Sequence, residues 1–167
     1  LKYDDAMGLG YAYPPNLKNY SSRKVAYHLH LPKEVIYDVT YNTDQQSNRY
    51  TPHDNKIRPN KSDSILFLGD SLTFGEGLND NETLSYFIQT YTGRSSLNAG
   101  LHGYGAHHAL RILEDEDLFK ERTRGHKIKT IIYRAILGHI NRTAGYSPWD
   151  PVGPCYELTG INTVSYK

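Results

Sequence analysis

Apolar and polar positions alternate in blocks over the second two thirds of the chain. The run "ILFLG" at 65–69 is short and continuously apolar, as expected of a strand covered on both faces. "SSLNAG" at 95–100 and "KTIIYRAIL" at 129–137 predict two further strands. Because segments with helical spacing separate these runs, the order strand, helix, strand, helix, strand predicts a parallel α/β sheet with right-handed crossovers.

The helical spacing is clearest in "ETLSYFIQTYTG" at 82–93, where apolar residues stand at i, i+3, i+4 and i+7 and Gly93 occupies a C-cap position. We expect this helix to turn four residues inward: Leu84, Phe87, Ile88 and Tyr91. "AHHALRILEDEDLFKER" at 106–122 predicts a second helix, with its "EDED" on a solvated face. Its expected inward residues include Leu110, Leu113 and Phe119.

The N-terminal third has a different pattern. Residues 1–23 predict irregular surface chain, and two runs rich in β-branched and aromatic residues predict a β-hairpin over 24–31 and 34–42. The stretch 44–63 lacks apolar periodicity and predicts a polar connector. We therefore divide the chain into a strand-containing appendage with its linker, 1–60, and an α/β domain, 61–167. The last stretch, from 138 on, predicts loop with one short strand at most.

Composition excludes several classes of function. The 167 residues carry 19 basic and 18 acidic side chains, a formal net charge of +1, so nothing favours a nucleic-acid partner or an anionic membrane surface. No apolar run is long enough to span a membrane, and the first ten residues have no signal-peptide core. A single cysteine leaves the compartment open; an extracytoplasmic location is slightly favoured over a cytoplasmic one. Oligomeric state is left open.

The first candidate catalytic residues follow the first apolar run, in "GDSLTFG" at 69–75. Ligand sites in open parallel sheets form beyond the C-terminal ends of strands, and Ser71 lies at that point. Two interpretations follow: Ser71 is a nucleophile, or Asp70 or Ser71 caps a short helix. The segment has neither the Gly-Lys-Ser/Thr ending of a phosphate-binding loop, nor G-x-G-x-x-G, nor G-x-S-x-G. We therefore expect no nucleotide and no other cofactor.

Two motifs together resemble the SGNH (GDSL) esterase and acyltransferase superfamily: "GDSLTFGEGLNDNETL" at 69–84 and "LNAGLHGYG" at 97–105. The resemblance implies a flavodoxin-like, three-layer α/β/α fold. It implies that Ser71 is the nucleophile and that its N–H and that of Gly103 stabilise the oxyanion. Gly100 is the weaker choice for the second donor. Asp70 is implied to support the loop, not to act as the triad acid.

The third motif departs from the family pattern, Gly-x-Asn-Asp. Aligning Arg142 with an arginine common in the family places Gly138 where the Asn stands and His139 where the Asp stands. The side-chain oxyanion donor is then absent unless His139 or Asn141 replaces it. Arg142 is a candidate substrate contact. Loss of one such donor costs on the order of 10²–10³ in rate, which an enzyme can survive.

The general base is the larger gap, since the family's Asp-x-x-His pair has no counterpart after Ser71 within the 167 residues. We expect a C-terminally incomplete catalytic domain. His102, a candidate substrate contact, and the pair His107 and His108 are weaker candidates for the base. A metal site at His107 and His108 is not expected, because adjacent helical residues point in different directions.

The sequence thus predicts a serine ester hydrolase acting on small acyl esters through an acyl-enzyme, with carbohydrate O-acetyl groups among its candidate substrates. The alternatives are an acyltransferase-related domain and a non-catalytic binding module whose contact surface is the tyrosine-rich hairpin.

Overall fold

The computed structural model describes residues 8–53, 59–161 and 163–167. Three parallel strands form its central sheet in the order β4–β3–β5: β3 (Asn60–Leu68), β4 (Arg94–Asn98) and β5 (Ile128–Tyr133). Helices connect the strands, so the predicted α/β class is confirmed. The apolar end of β3 is fully buried, as its continuous run requires.

Six short helical segments complete this part of the chain. They are α1 (Ser71–Phe74), a 3-10 turn (Asp80–Glu82), α2 (Leu84–Thr92), α3 (Ala106–Glu114), α4 (Glu116–Arg122) and α5 (Gly138–Thr143). One buried cluster joins the sheet to α3 and α4 through residues that include Leu66, Leu97, Ile112 and Leu118. Within the described ranges, no helix has the length and apolar character needed to cross a bilayer.

The predicted hairpin is present, but its first strand begins earlier than expected. β1 (Tyr20–Ala26) pairs antiparallel with β2 (Glu34–Tyr41), and the register shifts between Lys24 and Val25. Residues 27–31, predicted as strand, lie in the connection. Alternation of side chains alone does not mark where a bulge or a turn ends a strand.

The helix predicted around Phe87 is confirmed, with Gly93 left-handed at its C-cap, but the expected inward face is wrong. Leu84, Phe87 and Tyr91 are 48%, 43% and 82% exposed, whereas Gln89 is buried. Gln89 Nε2 donates to the carbonyl of Pro52, and its Oε1 accepts from Ser96 N–H. The helix packs on a polar segment of chain, so its polar face turns inward.

The segment predicted as one long helix is broken at Asp115, which has extended backbone and caps α4 by accepting a hydrogen bond from Leu118 N–H at 2.8 Å. Leu113 is exposed, contrary to expectation, while Leu110 is half-buried and Phe119 packs against the core. The acidic run remains largely solvated. An aspartate at a cap position outweighs the helical spacing here.

The N-terminal third contributes directly to the interior. Tyr11, Tyr13 and Tyr41 share a buried cluster with Phe74 and Tyr104. In the polar connector, Arg49 is 1% exposed; its Nη2 lies 2.8 Å from Asp80 Oδ1, and its guanidinium lies 4.3 Å from the centre of the Tyr41 ring. These contacts place the N-terminal segment beneath the loop that carries Ser71.

The C-terminal stretch has more regular structure than predicted. Besides α5, it contains an antiparallel hairpin of β6 (Tyr156–Gly160) and β7 (Thr163–Tyr166). Between α5 and this hairpin, residues 144–155 form a loop that runs back to the N-terminal end of α3. Frequent proline and glycine hid these short elements, whose lengths leave little periodicity to read.

Candidate active site

Ser71 stands at the carboxyl end of β3, as the first residue of α1. Asp70 caps that helix: its Oδ1 accepts a hydrogen bond from Leu72 N–H at 3.0 Å. Gly69 makes the turn between strand and helix possible, because a Cβ on it would lie 3.1 Å from the Arg134 carbonyl oxygen and would overlap Thr73. Asp70 is therefore the residue that caps α1, and the Ser71 hydroxyl takes no part in the cap.

The Asp70 carboxylate is completely buried and joins three elements. Its Oδ2 accepts a hydrogen bond from Arg142 Nη1 at 3.0 Å and lies 3.4 Å from His139 Nε2. Arg142 Nη1 also donates to the Tyr104 carbonyl at 2.8 Å. This network fixes the Ser71 loop to α5 and to the loop after β4.

The loop after β4 meets the Ser71 loop directly, because Leu101 N–H donates to the Gly69 carbonyl at 3.2 Å. A turn closed by Tyr104 N–H and the Leu101 carbonyl places Gly103 at its third position, with φ 82°. That position favours glycine. Within the described part of the chain, the N–H groups of Ser71 and Gly103 have no acceptor, and the Ser71 hydroxyl has no hydrogen-bond partner.

Ser71 and Gly103 line one cavity of about 340 Å³. The other lining residues come from four separate parts of the sequence: Tyr11, Glu76, His102, Arg142 and Trp149. Its wall thus combines two aromatic side chains with acidic and basic groups. A small hydroxyl and two unoccupied N–H groups at such a wall are the components of a nucleophile with an oxyanion hole.

His102 is packed among aromatic rings at the inner side of this cavity. Its ring centre lies 4.6 Å from that of Phe74 and 6.1 Å from that of Tyr41. Its Nε2 faces Glu76 Oε2 at 3.9 Å, and Nδ1 is buried without a partner among the described residues. Burial lowers the pKa of His102 below its ordinary value, although Glu76 opposes the shift. His102 is therefore a neutral wall residue at pH 7.

The remaining sequence candidates lie away from the Ser71 hydroxyl. Gly100 N–H already donates to Asn98 Oδ1, and the residue packs closely on Thr73. His139 is buried between Asp70 and the Tyr133 hydroxyl, and the Asn141 side chain is exposed. Neither His139 nor Asn141 lines the cavity. Among the described residues, the structure offers no side chain in the place of the family's third oxyanion donor.

His107 and His108, expected to diverge, converge on one carboxylate. Their Nε2 atoms lie 3.6 and 3.1 Å from Asp150 Oδ2, and all three side chains are buried. Burial lowers the pKa of His108 to about 4, and the two histidines hold the pKa of Asp150 at about 2 despite its own burial. The rings converge because Asp150 reaches them from a distant loop.

Sequence reasoning missed Glu76, Tyr11, Trp149 and Asp150. Glu76 lies within the first motif, but no catalytic spacing distinguishes it there, and the other three come from segments without a recognised motif. Frequent proline and glycine from 138 on predicted loop there, and no motif in that stretch marked Trp149 or Asp150.

No model of a protein family matches this chain, and no curated protein matches it either. The resemblance to SGNH enzymes therefore stays a prediction from the two sequence motifs.

Proposed function

We propose that this chain is a serine esterase or acyltransferase of the SGNH type, with Ser71 as its nucleophile. One observation carries the proposal. Ser71 and Gly103, whose N–H groups have no acceptor among the described residues, line one cavity beyond the carboxyl end of the central strand.

The order of the strands supports the same proposal. Along the sheet, the second strand of the α/β unit lies beside the first, and the first beside the third. A flavodoxin-like sheet begins with this order, 2-1-3, and binds its ligand at the carboxyl ends of these strands. We propose that the chain has this three-layer fold.

In the proposed reaction, Ser71 Oγ attacks the ester carbonyl carbon while a base removes the hydroxyl proton. The negative oxygen of the tetrahedral intermediate accepts hydrogen bonds from the N–H groups of Ser71 and Gly103. The bond to the alcohol then breaks, the alcohol leaves with a proton, and an acyl-enzyme remains. Water or an acceptor hydroxyl attacks this acyl group and restores the Ser71 hydroxyl.

The cavity bears on the size of the substrate. At about 340 Å³ it is at the lower end of the range for small-molecule sites. Its charged residues favour polar groups. We therefore propose short acyl esters, including acetyl groups on carbohydrates, as the substrate class.

Labelling of the full-length protein with a fluorophosphonate tests the proposal. We expect labelling that disappears in Ser71→Ala and persists in Ser62→Ala, a control that removes an exposed serine from the same strand–loop unit. Both variants must show the unfolding midpoint of the parent protein. A full-length protein that takes no label would overturn the proposal.

A binding module is the second candidate, and the end of the N-terminal hairpin favours it. Tyr27, Leu29 and Leu31 are 73%, 87% and 65% exposed, and Val35 and Ile36 on the next strand are also exposed. Exposed apolar residues in a group are typical of an interaction surface. An unlabelled but folded protein would favour this candidate over the enzyme.

A further inference from the structure

Trp149 forms part of the wall of the cavity. The residue is 46% exposed. A Cβ built on Gly103 would lie only 2.5 Å from the indole Nε1, so the Trp149 ring lies directly against the turn that carries the proposed oxyanion donor. A group attached to an acyl carbon at Ser71 would therefore lie close to this ring.

Asp150 holds the Trp149 loop in place. Its Oδ2 lies between the Nε2 atoms of His107 and His108, and its own N–H donates to the Ser147 carbonyl at 2.9 Å. Both histidines belong to the first turn of α3, which starts three residues after Gly103. The loop and the oxyanion turn are thus attached to the same helix end.

We call the contact of Asp150 with His107 and His108 the clamp. The tautomer of His108 distinguishes this clamp from a metal site. The three donor atoms of His107, His108 and Asp150 lie within 4.8 Å of one another, a spacing that could hold a metal ion. His108 Nδ1, however, accepts a hydrogen bond from Gly105 N–H at 3.1 Å. The neutral ring then carries its proton on Nε2, the nitrogen that lies 3.1 Å from Asp150 Oδ2. A metal ligand needs a free lone pair at that nitrogen and a proton on the other, so the geometry favours the clamp.

We propose that Trp149 binds the sugar ring of a carbohydrate ester and that Asp150 is the positioning residue that holds Trp149 there. This inference rests on the proposed function. A sugar ring offers C–H groups to an aromatic surface and hydroxyls to the charged groups around it. The cavity supplies both kinds of partner, with Tyr11 beside Trp149 and with Glu76 and Arg142 on the remaining wall.

Two acetate esters test the inference with the full-length protein: 6-O-acetylglucose, which has the ring and free hydroxyls, and ethyl acetate, which lacks both. For Trp149→Ala we expect kcat/KM to fall about tenfold for the sugar acetate, mainly through KM, and less than about threefold for ethyl acetate. Trp149→Phe should recover part of the loss. Asp150→Ala should show the same ring-selective loss, and Asp150→Asn, which keeps an acceptor oxygen, should restore much of it.

Two results would overturn the inference. Equal losses for both esters would assign Trp149 and Asp150 a purely structural role. A metal ion that copurifies with the protein and is lost in Asp150→Asn would replace the clamp by a metal centre.

Binding without chemistry separates this inference from the proposed function. Trp149 is the single tryptophan of the 167 residues, so its emission reports on this wall. In Ser71→Ala, quenching of this emission by 6-O-acetylglucose is expected. If the ester quenches the emission but the parent protein hydrolyses neither ester, the proposed esterase function is wrong and the sugar site stands. If the ester does not quench the emission, the proposed sugar site is wrong.

Discussion

At the residue scale, the position of Gly103 imposes two requirements that only glycine meets. Its φ is 82°, and a Cβ would overlap both the Trp149 indole and the Tyr11 hydroxyl. Gly103→Ala should therefore lower the free energy of unfolding by about 1–3 kcal/mol and displace the oxyanion turn. We expect the rate of fluorophosphonate labelling to fall by about 10²-fold or more.

Gly125→Ala is the matched control, since Gly125 also has positive φ, 77°, but open space where the Cβ would lie. Urea unfolding should show a loss of about 1 kcal/mol for this variant, with labelling unchanged. Equal labelling rates for the two variants would contradict the role given to Gly103.

The part of the site that sequence could predict is its local part. Gly69, Asp70 and Ser71 adjoin an apolar run, and the second motif marks Gly103, so short-range patterns brought these residues forward. Trp149 reaches the same cavity through a loop whose path depends on Asp150, a carboxylate buried against two histidines. No local pattern encodes such a long-range contact.

At the scale of elements, α2 shows why periodicity gave the right helix and the wrong face. The spacing of apolar residues determines that a helix forms, but the partner surface determines which side is buried. Here the partner includes the Pro52 carbonyl and the Ser96 N–H, which Gln89 bridges.

Gln89→Ala should consequently lower the free energy of unfolding by more than Phe87→Ala does. Removing Gln89 leaves the half-buried Pro52 carbonyl and the buried Ser96 N–H without this partner, at a cost of about 1–3 kcal/mol. Because Phe87 is 43% exposed, Phe87→Ala should lower the free energy of unfolding by less than about 1 kcal/mol. Urea unfolding of the two variants measures the order, and the reverse order would restore the apolar face as the buried one.

The clamp between α3 and the 144–155 loop predicts a pH dependence of stability. Burial lowers the pKa of His108 from its ordinary 6.5 to about 4. Between these values the unfolded chain binds a proton that the folded chain does not, so stability is lost as pH falls from 6.5 towards 4. Asp150, with its pKa at about 2, stays ionised across this window.

His108→Gln tests this directly, because glutamine does not titrate. The slope of unfolding free energy against pH, measured by urea unfolding between pH 4.5 and 6.5, should decrease by up to about 1.4 kcal/mol per pH unit. The other histidines contribute equally to both proteins. An unchanged slope would show that His108 is not held neutral in the folded chain.

At the scale of the whole molecule, residues 8–53 and the rest of the described chain share one interior. Tyr41 is 1% exposed; its hydroxyl accepts a hydrogen bond from Gly77 N–H at 2.9 Å, and its ring meets that of Phe74 edge to face at 5.0 Å. Phe74 belongs to α1, which begins at Ser71. The N-terminal segment therefore supports the candidate active site from below.

Tyr41→Ala should lower the free energy of unfolding by about 3–5 kcal/mol through loss of this packing. Trp149 emission and far-UV circular dichroism should give coincident urea transitions, both moved to lower urea, although Trp149 lies far from Tyr41 in sequence. Tyr27→Ala, a change of a 73% exposed tyrosine on the same hairpin, should stay within about 0.5 kcal/mol of the parent. If the urea transition reported by Trp149 does not move in Tyr41→Ala, residues 1–60 fold as an independent appendage. Only an independent unit could lose a buried aromatic side chain without weakening the wall of the cavity.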